Sequence, residues 1–343
     1  MKRREFRSDT MTQPTLAMRE AMRSAIVGDD VCEEDPTINE LQELGAKKVG
    51  KEAALFVPSG VFGNECAIGL HTRPGSELIL SERTHVIEHE TGAAGALWGV
   101  QTRTVVPAST TYLTVEDIEP RLRFGQDVHE PETGLIVLEN SLSDGTVMPL
   151  SEMRRVRELT TKHGIPIHLD GARLFNAAIA LKVEALEIAA CADSVTFCLS
   201  KGLGAPVGSL LCGSAEFVKR ARRRRKMMGG GMRQVGVLGA PGIIALKEGI
   251  ERLAEDHANA RLLAELLAKI PGIVLDLDKV QTNMVFCRVS KPGRTEEGLI
   301  RFLDERGFNN YPPAPWGLRF VTSYEVNADD VREFAKAAAE YMT

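Results

Sequence analysis

The sequence predicts an α/β fold, in which a mostly parallel sheet lies between helices and a smaller α+β unit follows. Three observations in the 343 residues lead to this prediction. Short apolar runs alternate with amphipathic helical patterns, the runs are apolar on both faces, and the alternation changes after about residue 245. We therefore expect a large unit over residues 1–245, which includes the N-terminal segment, and a small unit over residues 246–343.

The candidate strands of the large unit are short and apolar, as expected for strands that are buried on both faces. They cover residues 53–57, 77–80, 135–139, 165–170, 194–200 and 207–213. One connecting segment has apolar residues at helical spacing, namely Leu150, Met153, Val156 and Leu159. Another helix is expected after residue 34, because Asp35 can cap it and Pro36 suits its first turn.

The C-terminal part has a different order of elements. A helical pattern runs to about Lys269, and the strand-like runs "GIVLDL" and "NMVFCRV" follow. A helix near residues 295–306, a strand at 318–322 and a final helix from about residue 328 complete the chain. This order predicts an α+β unit that a long helix joins to the large unit.

The composition favours a cytoplasmic globular protein. The formal net charge is -5, so we expect neither nucleic acid nor a membrane surface as a partner. No apolar run approaches the ~20 residues needed to span a bilayer, and "MKRREFRSDT" lacks the apolar segment of a secretory signal. The six cysteines form no C-x-x-C pair, which is typical of reduced, packed thiols.

One short motif allows two interpretations. His85, Glu88 and His89 have the order H-x-x-E-H, which is the spacing of one class of zinc peptidase. Alternatively, His85 faces a different ligand and the spacing is accidental. Spacing alone does not separate a metal site from the other interpretation.

Polar residues follow two candidate strands. Asp170 ends the run "IPIHLD", and Lys201 follows the run "SVTFCLS". Ligands gather at the carboxyl ends of parallel strands, so both side chains are expected at a ligand site. Alone, the aspartate could be a helix cap and the lysine a solvated residue. Together they suit pyridoxal phosphate, which needs an amine for a Schiff base and a carboxylate for its pyridine nitrogen.

A third segment suits the phosphate of such a cofactor. In "LFVPSGVFGNECAIGLH" a strand is followed by a Ser-Gly turn and a helix. Backbone N–H groups at a helix start bind phosphate, so Ser59, Gly60 and Val61 are candidates for this cradle. An ordinary turn between a strand and a helix is the alternative.

Together, these segments and several others resemble those of a known family, the low-specificity L-threonine aldolases, nearly from end to end of the chain. The resemblance rests on "RSDTMTQPT" (7–15), "GDDVCEEDPT" (28–37), "GKEAALFVPSG" (50–60), "HLDGARLFNA" (168–177), "CLSKGLGAPVGS" (198–209) and "RKMMGGGMRQ" (225–234). These are fold-type-I enzymes that depend on pyridoxal 5'-phosphate. The resemblance implies a seven-stranded, mostly parallel sheet and a smaller C-terminal α+β domain.

The resemblance also implies roles for individual residues around the cofactor. Lys201 would form the Schiff base, Asp170 would pair with the pyridine nitrogen, and His85 would stack on the ring and could act as the base. No metal is expected. Lys226 and Arg233 would reach a cofactor phosphate across a subunit boundary, which implies sites at a dimer interface of a homotetramer.

Further residues match the substrate side of the family's site. Ser8, Arg173 and Arg319 would clamp the substrate carboxylate, and Arg173 would also lie beside the cofactor. His129 would contact the substrate hydroxyl, with a surface-loop histidine as the equal alternative. Cys32 and His89 would lie in the pocket wall.

Several positions depart from the family's pattern near the substrate. Cys32 stands where tyrosine is usual, Val61 where a hydroxyl residue is common, and His89 where an aromatic residue is usual. Leu142 and Ser323 also replace polar or histidine residues. We expect these changes to alter the preferred side chain more than the reaction class.

The expected reaction is retro-aldol cleavage of threonine, allo-threonine or a related β-hydroxy-α-amino acid to glycine and an aldehyde. The first alternative keeps the cofactor and changes the chemistry to β-elimination or racemisation. The second is a non-catalytic protein of the same fold, which has no need for Lys201, Asp170, Arg173 and Arg319 together. The third is a zinc hydrolase at His85 and His89.

Overall fold

The computed structural model describes residues 3–343 of the chain. Its strands are β1 (Arg4–Glu5), β2 (Ala53–Val57), β3 (Glu77–Ser81), β4 (Gln101–Val105), β5 (Thr133–Glu139), β6 (Ile167–Asp170), β7 (Ser194–Cys198), β8 (Ser209–Gly213), β9 (Ile273–Val274), β10 (Met284–Val289), β11 (Phe308–Asn309) and β12 (Leu318–Val321).

Helices occupy much of the remaining chain. They are α1 (Leu16–Ser24), α2 (Pro36–Lys48), α3 (Gly60–His71), α4 (His85–Glu88), α5 (Ala93–Trp98), α6 (Val115–Ile118), α7 (Leu150–His163), α8 (Leu174–Leu181), α9 (Ala185–Ala189), α10 (Ala215–Met227), α11 (Gly236–Ile244), α12 (Ile250–Leu267), α13 (Glu296–Glu305) and α14 (Ala328–Met342). Short 3-10 turns cover Asp9–Met11, Asp30–Cys32, Glu119–Arg121 and Leu277–Lys279, and a π-helical turn covers Ala245–Gly249.

The large sheet confirms the predicted α/β fold. Among the described residues it has seven strands in the order β2-β8-β7-β6-β5-β3-β4. Strand β8 runs antiparallel to both neighbours, and the remaining pairs are parallel. Six of the strands were predicted from apolar runs. Strand β4 was not, because it lies at the sheet edge and most of its side chains are exposed, so its sequence "QTRTV" carries no apolar run.

Two predicted helix features are confirmed. The Asp35 side chain caps α2 by accepting a hydrogen bond from the backbone N–H of Ile38, and Pro36 is its first residue. Helix α7 buries Met153, Val156 and Leu159 on one face. No helix within residues 3–343 is both long and apolar enough to cross a membrane.

A second hydrophobic core lies in the C-terminal part. It forms around the antiparallel sheet β12-β10-β9 and helices α12, α13 and α14. Helix α12 gives Leu253 to the core of the large sheet and Ala260 and Leu263 to the second core, so it joins the two. Strand β1 pairs with β11, which places Phe6 in the second core as well. The division near residue 245 stays a prediction.

Candidate active site

The carboxyl edge of the large sheet gathers the predicted cofactor residues. Asp170 ends β6, and Lys201 lies three residues beyond the end of β7. His85 begins α4 directly after β3, and Ser59 precedes α3 after β2. Because these strands run in the same direction, the four residues lie at the same edge, where ligands bind in sheets of this type.

Asp170 is a buried carboxylate whose hydrogen-bond donors are neutral. It is 3% exposed and accepts hydrogen bonds from Asn64 Nδ2 at 2.8 Å and from the backbone N–H of Ala172 at 3.0 Å. The Asn64 Oδ1 atom in turn lies 3.1 Å from His168 Nε2. Within the described chain no cationic side chain forms an ion pair with Asp170, so the carboxylate is open to a cationic ligand atom.

His85 is held at two points by glutamates. Its Nδ1 lies 2.8 Å from Glu90 Oε1, and its backbone N–H donates to Glu139 Oε2 at 2.9 Å. Because an ionised carboxylate only accepts, the Nδ1 atom carries the proton and Nε2 is left for another group. The hydrogen bond with Glu90 raises the pKa of His85, and the nearby charge of Asp170 adds to this effect.

The H-x-x-E-H motif does not assemble in the structure. His85, Glu90 and Asp170 bring ligand atoms within 4.8 Å of one another, but Glu88 and His89 do not belong to this group. Glu88 and His89 are exposed. The Nδ1 atom of His85 binds Glu90, and Asn64 bridges Glu90 to Asp170, so these side chains are hydrogen-bonded to one another. The residues of the H-x-x-E-H motif therefore do not form one ligand cluster among the described residues.

Glu139 lies beside Asp170 on the neighbouring strand. The two residues are directly paired in the register of β5 and β6. Burial, together with the charge of Asp170, raises the pKa of Glu139 to about 7. Its Oε1 accepts a hydrogen bond from Ser143 Oγ at 2.7 Å, which fixes the loop after β5.

The predicted carboxylate clamp contains an additional acid. Arg173 Nε and Nη2 donate to the two oxygens of Asp9 at 2.8 and 2.6 Å. Burial alone would raise the pKa of Asp9, but the charge and hydrogen bonds of Arg173 outweigh it and lower the pKa to about 2. Asn283 Nδ2 also donates to Asp9, at 3.3 Å.

Arg319 provides a cation close to this pair. Its Nε atom is buried and has no hydrogen-bond partner within residues 3–343. Burial and then the charge of Arg173 lower the pKa of Arg319. Arg173 and Arg319 are thus two cations near a single carboxylate, Asp9, which binds only Arg173, so the region attracts a further anion. Ser8, the residue before Asp9, is also buried. Its Oγ accepts a hydrogen bond from the backbone N–H of Thr10.

The loop before α3 has the predicted form. Ser59 is the N-cap of α3, and its Oγ accepts from the backbone N–H of Phe62 at 3.2 Å. A side chain at Gly60 would meet Cys198 Sγ at 3.0 Å, so the helix start lies close against β7. The first N–H groups of a helix have no partner within it, which leaves Gly60 and Val61 as donors.

Other predicted residues lie apart from this edge. His129 is exposed in the loop before β5, at the amino end of a strand whose carboxyl end meets Asp170. Seven residues of strand separate these ends by roughly 20 Å. Lys226 and Arg233 are exposed, and Arg233 pairs with Asp29 at 2.6 Å. The structure therefore does not bring His129 together with Asp170 in one chain.

The pocket-wall candidates divide by exposure. Cys32 and His89 are exposed, although the His89 ring lies 5.2 Å from the His85 ring. Leu142 and Ser323 are buried. Cys32 ends the 3-10 turn Asp30–Cys32, close in sequence to Asp29, the partner of Arg233.

Four residues of the site were not predicted from the sequence, namely Asp9, Asn64, Glu90 and Glu139. Glu139 could have been found, because it ends a candidate strand next to the one that ends in Asp170. Asn64 and Glu90 carry no such signal. Asn64 lies inside a helix and Glu90 in a turn, and only the packing of α3 against the sheet brings them to Asp170.

The residues at this edge fit pyridoxal 5'-phosphate. The buried Asp170 accepts only from neutral donors, which suits a protonated pyridine nitrogen. Lys201 lies close enough that its charge affects His85 and Asp9. The N-terminus of α3 offers backbone donors that suit a phosphate. Amine, carboxylate and phosphate donors therefore converge on one edge.

Comparisons with known proteins agree with this geometry. The sequence profile described as beta-eliminating lyase matches residues 5–290. The chain is 42% identical to the probable low-specificity L-threonine aldolase 2 of Arabidopsis thaliana, over 95% of this chain and 94% of the relative. It is 41% identical to the low specificity L-threonine aldolase of Escherichia coli (strain K12), over 96% and 97%.

The chain belongs to the beta-eliminating lyase family. A solved structure of Leishmania major threonine aldolase superposes on this chain with a TM-score of 0.86, over 99% of this chain and 100% of its own. The two sequences are 23% identical, so this likeness shows the shared fold. The family resemblance and the fold-type-I architecture predicted from the sequence are thereby confirmed.

Proposed function

We propose that the protein is a pyridoxal 5'-phosphate-dependent aldolase. It cleaves L-threonine, L-allo-threonine or a related β-hydroxy-α-amino acid between Cα and Cβ, which gives glycine and an aldehyde. Relatives at 41–42% identity over nearly the whole chain carry the name low-specificity L-threonine aldolase. The observation that carries the proposal is the buried Asp170 at the same sheet edge as Lys201 and His85.

Each side chain has a distinct task. Lys201 supplies the amine that binds the cofactor, Asp170 holds the pyridine nitrogen, and Ser59 with Gly60 holds the phosphate. When bound, pyridoxal phosphate supplies an electron sink for the electrons of the breaking bond. His85 offers Nε2 as a proton acceptor for the β-hydroxyl, because Glu90 holds the proton on Nδ1.

The substrate is oriented by its carboxylate. Arg319 has a buried donor without a partner, and Arg173 is fixed by Asp9. These two cations would bind the substrate carboxylate and turn the Cα–Cβ bond to the position in which it breaks. Ser8 would add a hydroxyl donor, and the buried residues Leu142 and Ser323, which depart from the family's pattern, would influence the preferred side chain.

The protein is further proposed to work in the cytoplasm as a homotetramer with its sites at a dimer interface. Lys226, Arg233 and His129 support this assembly, because all three are exposed and suit a neighbouring subunit's site better than their own. The family resemblance supports it too. No nucleic acid or membrane partner is expected.

One cuvette tests cofactor and reaction together. The visible absorption spectrum of the purified protein is recorded, L-allo-threonine is added, and aldehyde is assayed. A yellow Schiff-base band that shifts, together with released aldehyde, is the expected result. A keto acid with ammonia would instead indicate β-elimination, and the opposite enantiomer would indicate racemisation. Absence of the band after cofactor addition would overturn the role of Lys201.

A further inference from the structure

Behind His85 lies a pair of buried glutamates with open oxygens. Glu65 on α3 and Glu90 in the turn before α5 are 1% and 2% exposed. Glu65 follows Asn64 in α3, and Asn64 Nδ2 donates to Glu90 Oε1 at 2.9 Å, so the two buried carboxyl groups lie in the same cluster. One oxygen of each, Oε1 of Glu65 and Oε2 of Glu90, is buried without any donor among the described residues.

The other two oxygens of the pair have clear donors. Glu65 Oε2 accepts from the indole Nε1 of Trp98 at 3.0 Å. Glu90 Oε1 accepts from Asn64 Nδ2 at 2.9 Å and lies 2.8 Å from His85 Nδ1. Two ionised carboxylates in contact would repel each other without water to screen them. A single proton between the open oxygens satisfies both.

The number of donors decides which glutamate carries that proton. Glu90 accepts from two groups, and one of them is a histidine that can be cationic, so its charged form is the better stabilised. Glu65 accepts only from a neutral indole N–H. The proton therefore belongs to Glu65, whose O–H points to Glu90.

We propose that Glu65 is a protonated acid at neutral pH that donates a hydrogen bond to Glu90 and thereby keeps Glu90 an anion for His85. Glu65 is a positioning residue, since it acts on His85 only through Glu90. The chain of contacts runs from Trp98 through Glu65 and Glu90 to His85. Its effect is to hold the proton of His85 on Nδ1 and to leave Nε2 for the substrate.

The electrostatics of the cluster support the geometry. Burial, followed by the charge of Glu90, raises the pKa of Glu65 to about 8. Four other ionisable groups belong to the surroundings. Arg224 of α10 lies over the Trp98 ring at 4.5 Å, His85 contacts Glu90, and Asp170 and His168 of β6 are reached through Asn64. Burial lowers the pKa of His168 to about 3, so it stays neutral.

The inference rests on the proposed function only where it takes His85 as the group that faces the substrate. The shared proton itself is a property of the folded chain. It can therefore be tested without substrate, and failure of the aldolase reaction would not affect the outcome.

The decisive variant is E65Q. A glutamine amide donates to Glu90 as the protonated acid does, and its carbonyl still accepts from Trp98. E88Q is the matched control, because Glu88 is exposed and lies two residues from Glu90. The purified full-length proteins are compared by infrared spectroscopy at pH 7 and by thermal unfolding from pH 5 to pH 9.

The sign of the expected shift follows from linkage. The folded chain holds a proton on Glu65 that the unfolded chain releases above the ordinary glutamate pKa. The resulting stabilisation is complete below that ordinary value and is lost as pH rises to about 8. The unfolding midpoint of the wild type and of E88Q should therefore fall across this window, and that of E65Q should fall less.

The infrared spectrum gives an independent readout of the same proton. The carbonyl band of a protonated carboxylic acid at pH 7 should be weaker in E65Q than in E88Q. An E65Q protein with the band and the pH slope of E88Q would overturn the proposal.

The link to His85 has its own measurement. In nuclear magnetic resonance titrations the pKa of His85 should be lower in E90Q than in the wild type. In E65Q the pKa of His85 should stay at the wild-type value. An E90Q protein with an unchanged His85 titration would also overturn the proposal. A flattened slope in E65Q without aldehyde release from the wild type would instead refute the aldolase function alone.

Discussion

Single residues at the sheet edge act through the partners that hold them. Arg173 donates two hydrogen bonds from one edge of its guanidinium group to Asp9, which is fully buried. His85 is bound by Glu90 through one ring nitrogen. In both cases an acidic residue that was not predicted, Asp9 or Glu90, fixes a residue that was predicted. The orientation of the predicted residues therefore depends on unpredicted ones.

The D9N substitution is expected to lower stability strongly at neutral pH. It leaves the Arg173 guanidinium without its charged partner in a site where only 14% of the side chain is exposed. Breaking a buried ion pair costs about 3–5 kcal/mol in the free energy of unfolding. Urea unfolding at pH 7 measures the loss. E20Q is the control, because Glu20 pairs with Arg23 at the surface, where water screens the pair and the loss of stability should be small.

The pH dependence of D9N provides a second check. The pKa of Asp9 is lowered to about 2, so its stabilising effect is present above the ordinary aspartate value and is lost as pH falls through about 2. The difference in unfolding free energy between wild type and D9N should therefore shrink below pH 4. A difference that stays constant down to pH 2 would contradict the ion-pair assignment.

His85 and His89 provide a matched comparison at the same site. H85A should lower kcat by about 10²–10⁴-fold, because it removes the proposed proton acceptor. H89A should have a smaller effect on kcat, because His89 is exposed and held only by Glu88 at 3.7 Å. Aldehyde release from L-threonine at several concentrations separates kcat from KM. Equal losses in kcat for both variants would argue against His85 as the base.

At the scale of elements, the N-terminal ends of helices have two roles: they bind ligands and they link one helix to another. The N-cap Ser59 opens α3 at the sheet edge and leaves donors for a phosphate. The N-cap Asp35 instead links α2 to α11, because its second oxygen accepts from the backbone N–H of Gly236 at 2.8 Å. Asp35 is fully buried, so both hydrogen bonds are shielded from water.

D35A tests this link between helices. The substitution removes a helix cap and leaves the buried N–H of Gly236 without an acceptor, which together cost about 2–4 kcal/mol. S214A is the control, since Ser214 caps α10 and its Oγ accepts only from Phe217 among the described contacts. That loss is about 1 kcal/mol. If chemical denaturation gives equal losses, the Gly236 contact is energetically unimportant.

At the scale of the whole molecule, residues assigned to one site lie in two places. Asp170 and Lys201 lie at the carboxyl edge, whereas His129 precedes the amino end of β5. Lys226 and Arg233 are exposed basic residues close to the end of α10. A symmetric assembly resolves this division, because a neighbouring subunit can bring such residues to the edge.

Mixing two inactive variants tests the shared site. K201A lacks the cofactor amine, and the double variant K226A/R233A lacks the basic residues proposed to bind phosphate from the neighbouring subunit. Each alone should release little aldehyde. Subunits dissociated, mixed and reassembled should regain activity, because some sites then combine intact residues from both. Mixed wild-type subunits control for recovery, and no gain in the mixture would place all these residues in one chain's site.

The order of elements was predictable from sequence because it depends on local patterns. Apolar runs identified six strands of the large sheet, and polar residues next to glycine and proline identified the α2 and α3 starts. Asp170 and Lys201 were found because strand ends in a parallel sheet share an edge. Strand β4 escaped, since an exposed edge strand needs no apolar run.

The sequence by itself determined the α/β class, the family and the residues that end each strand, because spacing along the chain sets which side chains meet at one edge. Only the tertiary structure decided how those residues are held. Asp9 binds Arg173 from a position 164 residues away, Asn64 bridges Glu90 to Asp170, and Glu65 accepts from Trp98. Such contacts depend on how helices and strands pack against one another, and no periodic pattern along the chain indicates which distant residues will meet.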